Sequence, residues 1–215
     1  MRMSRRRMVG FSGAAALLGT AGHSLAAELR RTPAQILGPF YPIEKPLDRD
    51  ADLTLIKGRK QPAAGKAVHV MGRVLDARGE PVAGARLEIW QANTHGRYTH
   101  PSDDNAAPLD PNFEGFASLE TDTEGRYRFK TIKPGAYPAG SGLTRAPHIH
   151  FDVKGRVNRL VTQMYFPGES LNDGDIFLAT SRNFRSLLVA DVGKPTPDLE
   201  PDSLLARWDI VLEQG

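Results

Sequence analysis

From residue 68 onward, apolar and polar positions alternate in short runs, several of them closed by a turn rich in Gly, Asp or Lys. The runs cover residues 68–76, 85–91, 115–121, 126–132, 148–153, 159–166 and 206–212. Between them stand turn words such as Ala77-Arg78-Gly79-Glu80, Asp122-Thr123-Glu124-Gly125 and Lys154-Gly155. A two-residue period sends successive side chains to opposite faces, so these runs predict strands with one face in a core. Short strands at hairpin spacing predict an all-β fold, a β-sandwich.

Three stretches break the alternation. Residues 27–65 are rich in Pro, Gly and charge, have no sustained period, and predict an extended arm with one apolar piece at 53–56. Residues 93–114 are too long and polar for a mere connection, and loops of that length in compact domains are usually functional or disordered. Within 172–200, residues 179–190 are expected to make a short helix around Phe184, Leu187 and Leu188. The sandwich itself is expected over 66–215.

Residues 1–26 read as an export signal. Ser4-Arg5-Arg6-Arg7 precedes a short apolar stretch, and Ser24-Leu25-Ala26 gives a small-x-small cleavage pattern. Adjacent arginines point to the twin-arginine route, hence a periplasmic or secreted protein with no stable membrane anchor after cleavage. The apolar stretch is short of the roughly 20 residues that span a bilayer. Cleavage removes four arginines and no acid, so the formal charge falls from +3 to −1. That balance speaks against a nucleic-acid partner. The chain has no cysteine, which excludes disulfides, thiolate metal sites and cysteine nucleophiles.

Candidate chemistry begins in Arg145-Ala146-Pro147-His148-Ile149-His150-Phe151, where the alternation sets His148 and His150 on one strand face and Ile149, Phe151 and Val153 on the other. A bare His-x-His is ordinarily a surface pair. Two tyrosines in turn-rich words, Gly96-Arg97-Tyr98 and Lys133-Pro134-Gly135-Ala136-Tyr137-Pro138, alter that balance, because loop tyrosines beside Gly and Pro are poor core residues. Two phenolates and two imidazoles form a hard, partly anionic donor set that suits Fe(III). His69, His95 and His100 are left outside the set, and Trp90, Trp208, Tyr127 and Tyr165 read as packing residues, with Tyr165 near enough to line a cavity.

These words, together with Gly38-Pro39-Phe40-Tyr41-Pro42, Gly72-Arg73-Val74-Leu75-Asp76, Glu88-Ile89-Trp90-Gln91-Ala92-Asn93, Pro108-Leu109-Asp110-Pro111-Asn112-Phe113 and Gln163-Met164-Tyr165-Phe166, occur in an order that resembles the intradiol ring-cleavage dioxygenases. The nearest resemblance is to the iron-bearing chains of the protocatechuate-cleaving members, from about residue 32 to 212. The resemblance implies a sandwich with long active-site loops and a non-haem Fe(3+) held by Tyr98, Tyr137, His148 and His150. It also implies intradiol cleavage of a catechol by dioxygen to a cis,cis-muconate-type dicarboxylate. In that pattern Tyr137 is displaced by substrate and acts as a base, Arg145 stabilises negative charge on the ring, and Gln163 hydrogen-bonds nearby. Family members often assemble, so a homo-oligomer is expected.

A competing reading comes from Gly72-Arg73-Val74-Leu75-Asp76 followed by Gly79-Glu80-Pro81-Val82-Ala83-Gly84-Ala85, which also resembles non-catalytic transthyretin-like and carboxypeptidase-regulatory-like β-sandwich modules. The two tyrosines and two histidines separate the readings, since a support module has no use for four hard ligands.

Overall fold

The alternating runs pair into two stacked sheets in the computed structural model, which describes residues 28–46, 50–140 and 142–215. The signal expected over 1–26 lies outside the described residues. One sheet is built on β1 (Ala67–Leu75). Antiparallel β4 (Arg126–Ile132) lies on one side of it, β10 (Leu204–Arg207) and β11 (Ile210–Val211) run parallel to it on the other, and β9 (Asp191–Gly193) extends beyond β10. The second sheet has the order β3 (Phe116–Glu120), β2 (Arg86–Trp90), β7 (His148–Lys154), β8 (Arg159–Tyr165), with every neighbour antiparallel. A separate two-residue ladder joins β5 (Tyr137–Pro138) to β6 (Thr144–Arg145).

The core lies between the large sheets. Val68, Val70 and Phe129 enter it from the first, and Leu87, Ile89, Ile149, Phe151 and Val153 from the second, all nearly inaccessible to water. Burying each such side chain is worth about 1.5–3 kcal/mol, and with no cysteine in the chain this layer is what holds the sandwich together.

The run at 206–212 is not one strand. It breaks at Trp208-Asp209 into β10 and β11, and the reason is local. The Trp208 carbonyl turns toward β1, where a Cβ on Gly72 would sit 1.8 Å from its oxygen. Tyr127, opposite Gly72 in the ladder, donates its hydroxyl to that displaced carbonyl at 2.5 Å, while an Asp209 carboxylate oxygen accepts from the Arg73 amide at 2.8 Å in place of a backbone partner. The register is the same on both sides of the break, and the Trp208 carbonyl and the Arg73 amide that leave the ladder each regain a side-chain partner.

The expected helix at 179–190 is also corrected. A single turn of helix, α1 (Ile176–Thr180), starts earlier, and a 3-10 segment (Arg182–Leu188) follows it, beginning at Arg182, whose φ is +44°. Periodicity alone missed the N-cap: Asp175 accepts from the amides of Phe177 and Leu178 and fixes the start of the turn. Of the three apolar residues named for the helix, Leu188 is buried and Phe184 is exposed.

The arm runs along the sandwich before covering one end of the second sheet. The Thr32 amide donates to the Val211 carbonyl, the Gln35 amide to that of Val161, and the Gln163 side chain donates to the Ile36 carbonyl. Beyond it, Tyr41 and Lys45 both bond the buried carboxylate of Glu88 on β2, which Arg86 also meets at 2.6 Å. Burial pushes the Glu88 pKa up, but the bonds from Lys45 and Tyr41 outweigh it and hold the carboxyl below its ordinary range.

Candidate active site

The register of the second sheet decides which side chains meet. Residues directly opposite each other in an antiparallel pair share a face. His150 lies opposite Trp90 on β2 and Gln163 on β8, and His148 lies opposite Tyr165. These five therefore stand together on the face turned away from Ile149 and Phe151.

The two tyrosines arrive from loops that are pinned to each other. Asn93 organises the first loop, its side-chain oxygen accepting from the amides of His95 and Arg97 and its carbonyl accepting from Gly96 and Gly135. Asp103 then accepts from the Tyr98 amide at 2.7 Å. The loops approach backbone to backbone at two glycines: a Cβ on Gly96, whose φ is +78°, would lie 2.0 Å from the Ala136 carbonyl oxygen, and one on Gly135 would lie 2.5 Å from the Gly96 nitrogen. Gly96→Ala combines positive φ with a backbone clash, so it should cost at least about 2 kcal/mol and separate Tyr98 from Tyr137. Thermal melting together with metal analysis of the variant checks this; wild-type values in both would contradict the loop contact.

The result is a closed cycle of four rings. Centroids are 5.3 Å apart for Tyr98 and Tyr137, 5.6 Å for Tyr137 and His148, 4.7 Å for His148 and His150, and 6.2 Å for His150 and Tyr98. All four residues are at most 5% exposed. Trp90 stacks on His150 at 4.8 Å with planes 10° apart, Gly38 of the arm lies so close that a Cβ there would be 3.1 Å from the His150 ring, and Phe40 packs 4.6 Å from Tyr98. Trp90 is thus more than core: it fixes the orientation of His150. His100 contacts Phe40 and stays outside the cycle, and His69 is bonded to Glu200.

Both histidines present lone pairs. His148 Nδ1 is 2.6 Å from the Ala146 carbonyl oxygen, which can only accept, so Nδ1 carries the proton and Nε2 keeps its lone pair. Burial, reinforced by the Arg145 charge, lowers the His148 pKa to about 3, and burial with His148 beside it lowers that of His150 well below the usual value. The phenols are shifted the other way. Burial and the adjacent Tyr137 oxygen raise Tyr98 far above its ordinary range, and burial raises Tyr137 against the opposing pull of Arg145. Only a cation within the cycle would draw off those protons.

The donor set fits a metal ion. The two Nε2 atoms are 3.1 Å apart, close to the separation of two nitrogens each about 2.1 Å from one ion at a near-right angle. The Tyr98 hydroxyl is buried with no hydrogen-bond partner, which an ion would supply. Among the described residues no group of three or more His, Cys, Asp or Glu converges, so a metal here would draw half its protein donors from tyrosine.

Arg145 borders the cycle. Its Nη1 points at the Tyr137 hydroxyl at 3.4 Å, and its Nη2 donates to Gln163 at 2.6 Å and to Tyr165 at 2.9 Å. Its Nε donates to Asp175 at 2.8 Å. Sequence motifs bring Arg145 and Gln163 to the site but not Asp175, a single acid in an irregular stretch with no motif around it. Tyr165, expected to pack and to stand near enough to line a cavity, is a polar member of this network. A cavity of about 240 Å³ adjoins Tyr98, walled by Phe40, Trp90 and Phe116, whereas a cleft of about 630 Å³ on the other sheet, beside Arg73 and Trp208, contains none of these groups.

The chain is similar to known dioxygenases in sequence and in fold. A family model described as Dioxygenase matches residues 36–214. The beta chain of protocatechuate 3,4-dioxygenase from Burkholderia cepacia is 46% identical over 181 residues, 81% of this chain and 76% of that one. Hydroxyquinol 1,2-dioxygenase from Corynebacterium glutamicum is 30% identical over 204 residues, 86% of this chain and 64% of that protein, so the chain spans less than two thirds of that relative. Among solved structures, the dioxygenase domain of a dioxygenase carbohydrate-binding fusion from Streptomyces sp. SirexAA-E is 26% identical with a TM-score of 0.65, covering 86% of this chain and 100% of that one. Catechol 1,2-dioxygenase from Pseudomonas arvilla C-1 is 25% identical with a TM-score of 0.66, over 86% of this chain and 62% of that one.

Proposed function

The chain belongs to the intradiol ring-cleaving dioxygenases, and from that premise we propose that Tyr98, Tyr137, His148 and His150 hold one ferric ion at which dioxygen opens a catechol-type ring. Cleavage falls between the two hydroxyl-bearing carbons and gives a cis,cis-muconate-type dicarboxylate. The observation that carries this reading is the closed cycle of two neutral imidazoles and two phenols, a donor set for a hard trivalent cation. Iron, when bound, supplies Lewis acidity and a template for both substrate oxygens.

The protein's own groups do the rest. Tyr137, beside Arg145, would be the base that takes a proton from an incoming catechol hydroxyl, once an ion held in the cycle has drawn off its own. Arg145 and Gln163 face negative charge as it develops on the ring, from a buried site where a fixed donor acts without competition from water. Stacked Trp90 and the Ala146 carbonyl orient the two imidazoles, and the arm at Gly38 and Phe40 shields them from solvent.

Twin-arginine export with cleavage after Ala26, a periplasmic or secreted location and a homo-oligomeric state complete the proposal. Export rests on the arginine-rich start of the chain, and assembly on the family resemblance.

Oxygen uptake over a panel of catechol, protocatechuate, hydroxyquinol and larger lignin-derived catechols, repeated with isotopically labelled dioxygen, tests the reaction. Both labelled atoms should appear in a dicarboxylic muconate, less any label exchanged with solvent. A hydroxymuconic semialdehyde product, or no uptake by iron-replete protein, would refute the assignment and leave the sandwich intact.

A further inference from the structure

Arg145 is held from behind by a residue that touches neither the four rings nor the space between them. Asp175 is fully buried and uses both carboxylate oxygens. One accepts from Arg145 Nε at 2.8 Å and from the Ala146 amide at 3.0 Å. The other accepts from the Phe177 and Leu178 amides at 3.1 and 3.0 Å, and lies 3.4 Å from the Tyr165 hydroxyl. The same turn brings the Phe177 ring over the guanidinium, 4.5 Å from ring centroid to Cζ. Three constraints therefore act on one planar group. Asp175 fixes its Nε edge, Phe177 fixes its plane, and Gln163 with Tyr165 takes both protons of Nη2. These constraints set the direction of Nη1, which points at the Tyr137 hydroxyl at 3.4 Å.

The connection reaches further along the chain. Ala146 lies between Arg145 and Pro147, and its carbonyl is the group that sets the His148 tautomer. By accepting from the Ala146 amide, Asp175 holds the peptide that leads from the arginine to the first imidazole.

We propose that Asp175, through the turn it caps, is a positioning residue for the reaction: it aims Nη1 of Arg145 at the reacting oxygen and carbon atoms, and it acts on turnover through Arg145. This inference rests on the function proposed above. A guanidinium bound only through Nη2 would pivot, and a misplacement of about 1 Å in a group that acts on developing charge can cost on the order of 100-fold in rate.

Asp175→Glu tests this, because it keeps the charge that neutralises Arg145 while moving the carboxylate by one methylene. The variant should bind iron as the wild type does, keep KM within about threefold, and lose about 10- to 100-fold in kcat. In an Arg145→Ala background the same substitution should change kcat less than about twofold, because the group it acts through is gone. Equal fractional losses in both backgrounds, or wild-type kcat in Asp175→Glu, would overturn the proposal. Asp175→Asn supplies a second arm. Its side-chain oxygen can still cap α1 while its amide nitrogen faces Arg145 Nε, donor against donor, so crystal structures of the variant and the wild-type protein should differ in the guanidinium orientation. That comparison needs no turnover. An unmoved guanidinium refutes the anchor, whereas a moved one in a protein that opens no catechol refutes the proposed reaction and leaves the anchor standing.

Discussion

Replacing His150 with alanine should give a folded protein that purifies without iron. The wild-type protein should carry about one iron per chain and a reddish colour from charge transfer between tyrosinate and Fe(III). His150 is 1% exposed, stacks on Trp90 and places its Nε2 3.1 Å from that of His148, so its removal takes away one of only two nitrogen donors and leaves a pocket the backbone cannot refill. With Tyr98 and Tyr137 buried and held protonated by that burial, the remaining imidazole must drive metal entry alone, and iron content should fall at least about tenfold. His148→Ala should behave alike. Elemental analysis and the visible spectrum decide the point: stoichiometric zinc in colourless wild-type protein grown with ample iron would end the ferric assignment, and full iron in either variant would remove that histidine from the donor set.

The second large effect is expected at Arg145. Arg145→Ala should retain iron and colour yet lose on the order of 100-fold or more in turnover, because its charge is needed where negative charge develops on the substrate ring. The structure adds a stability cost. Arg145 and Asp175 are a buried pair, and removing one partner leaves the other charge uncompensated, a loss of about 3–5 kcal/mol that the amides of Ala146, Phe177 and Leu178 reduce. Melting should therefore shift downward while the visible spectrum stays, and kinetics belong well below the new transition. Unchanged steady-state rates in an iron-loaded variant would return Arg145 to a purely structural ion pair.

Much of this architecture is legible in the sequence, because a two-residue period needs no tertiary information to state which side of a strand a residue occupies. The parity of residues 148–153 alone sends Ile149, Phe151 and Val153 into the core and His148 and His150 to the opposite face, and the sheet obeys it. The start of β7 and the bounds of β4 coincide with the predicted runs for the same reason, and Gly96 and Gly135 lie in the loops where the turn-rich words stand.

Whatever depends on one segment meeting another was decided only in three dimensions. Nothing local to residues 206–212 reveals that Trp208 must yield its carbonyl to the space over Gly72, since the cause lies on β1 and β4. The helix expected at 179–190 begins earlier because Asp175 is a cap, and the sequence offers no measure of whether one acid in a polar stretch is capping a turn or merely solvated. Trp90 and Tyr165 reach the site through cross-strand register, which parity along a single strand cannot supply. Asp175 meets Arg145 across 30 residues, and the arm folds Gly38 and Phe40 over rings more than 50 positions away. Donor types are a local property of the chain. Their convergence within a few ångströms is a property of how two sheets, two loops and an arm pack around one another.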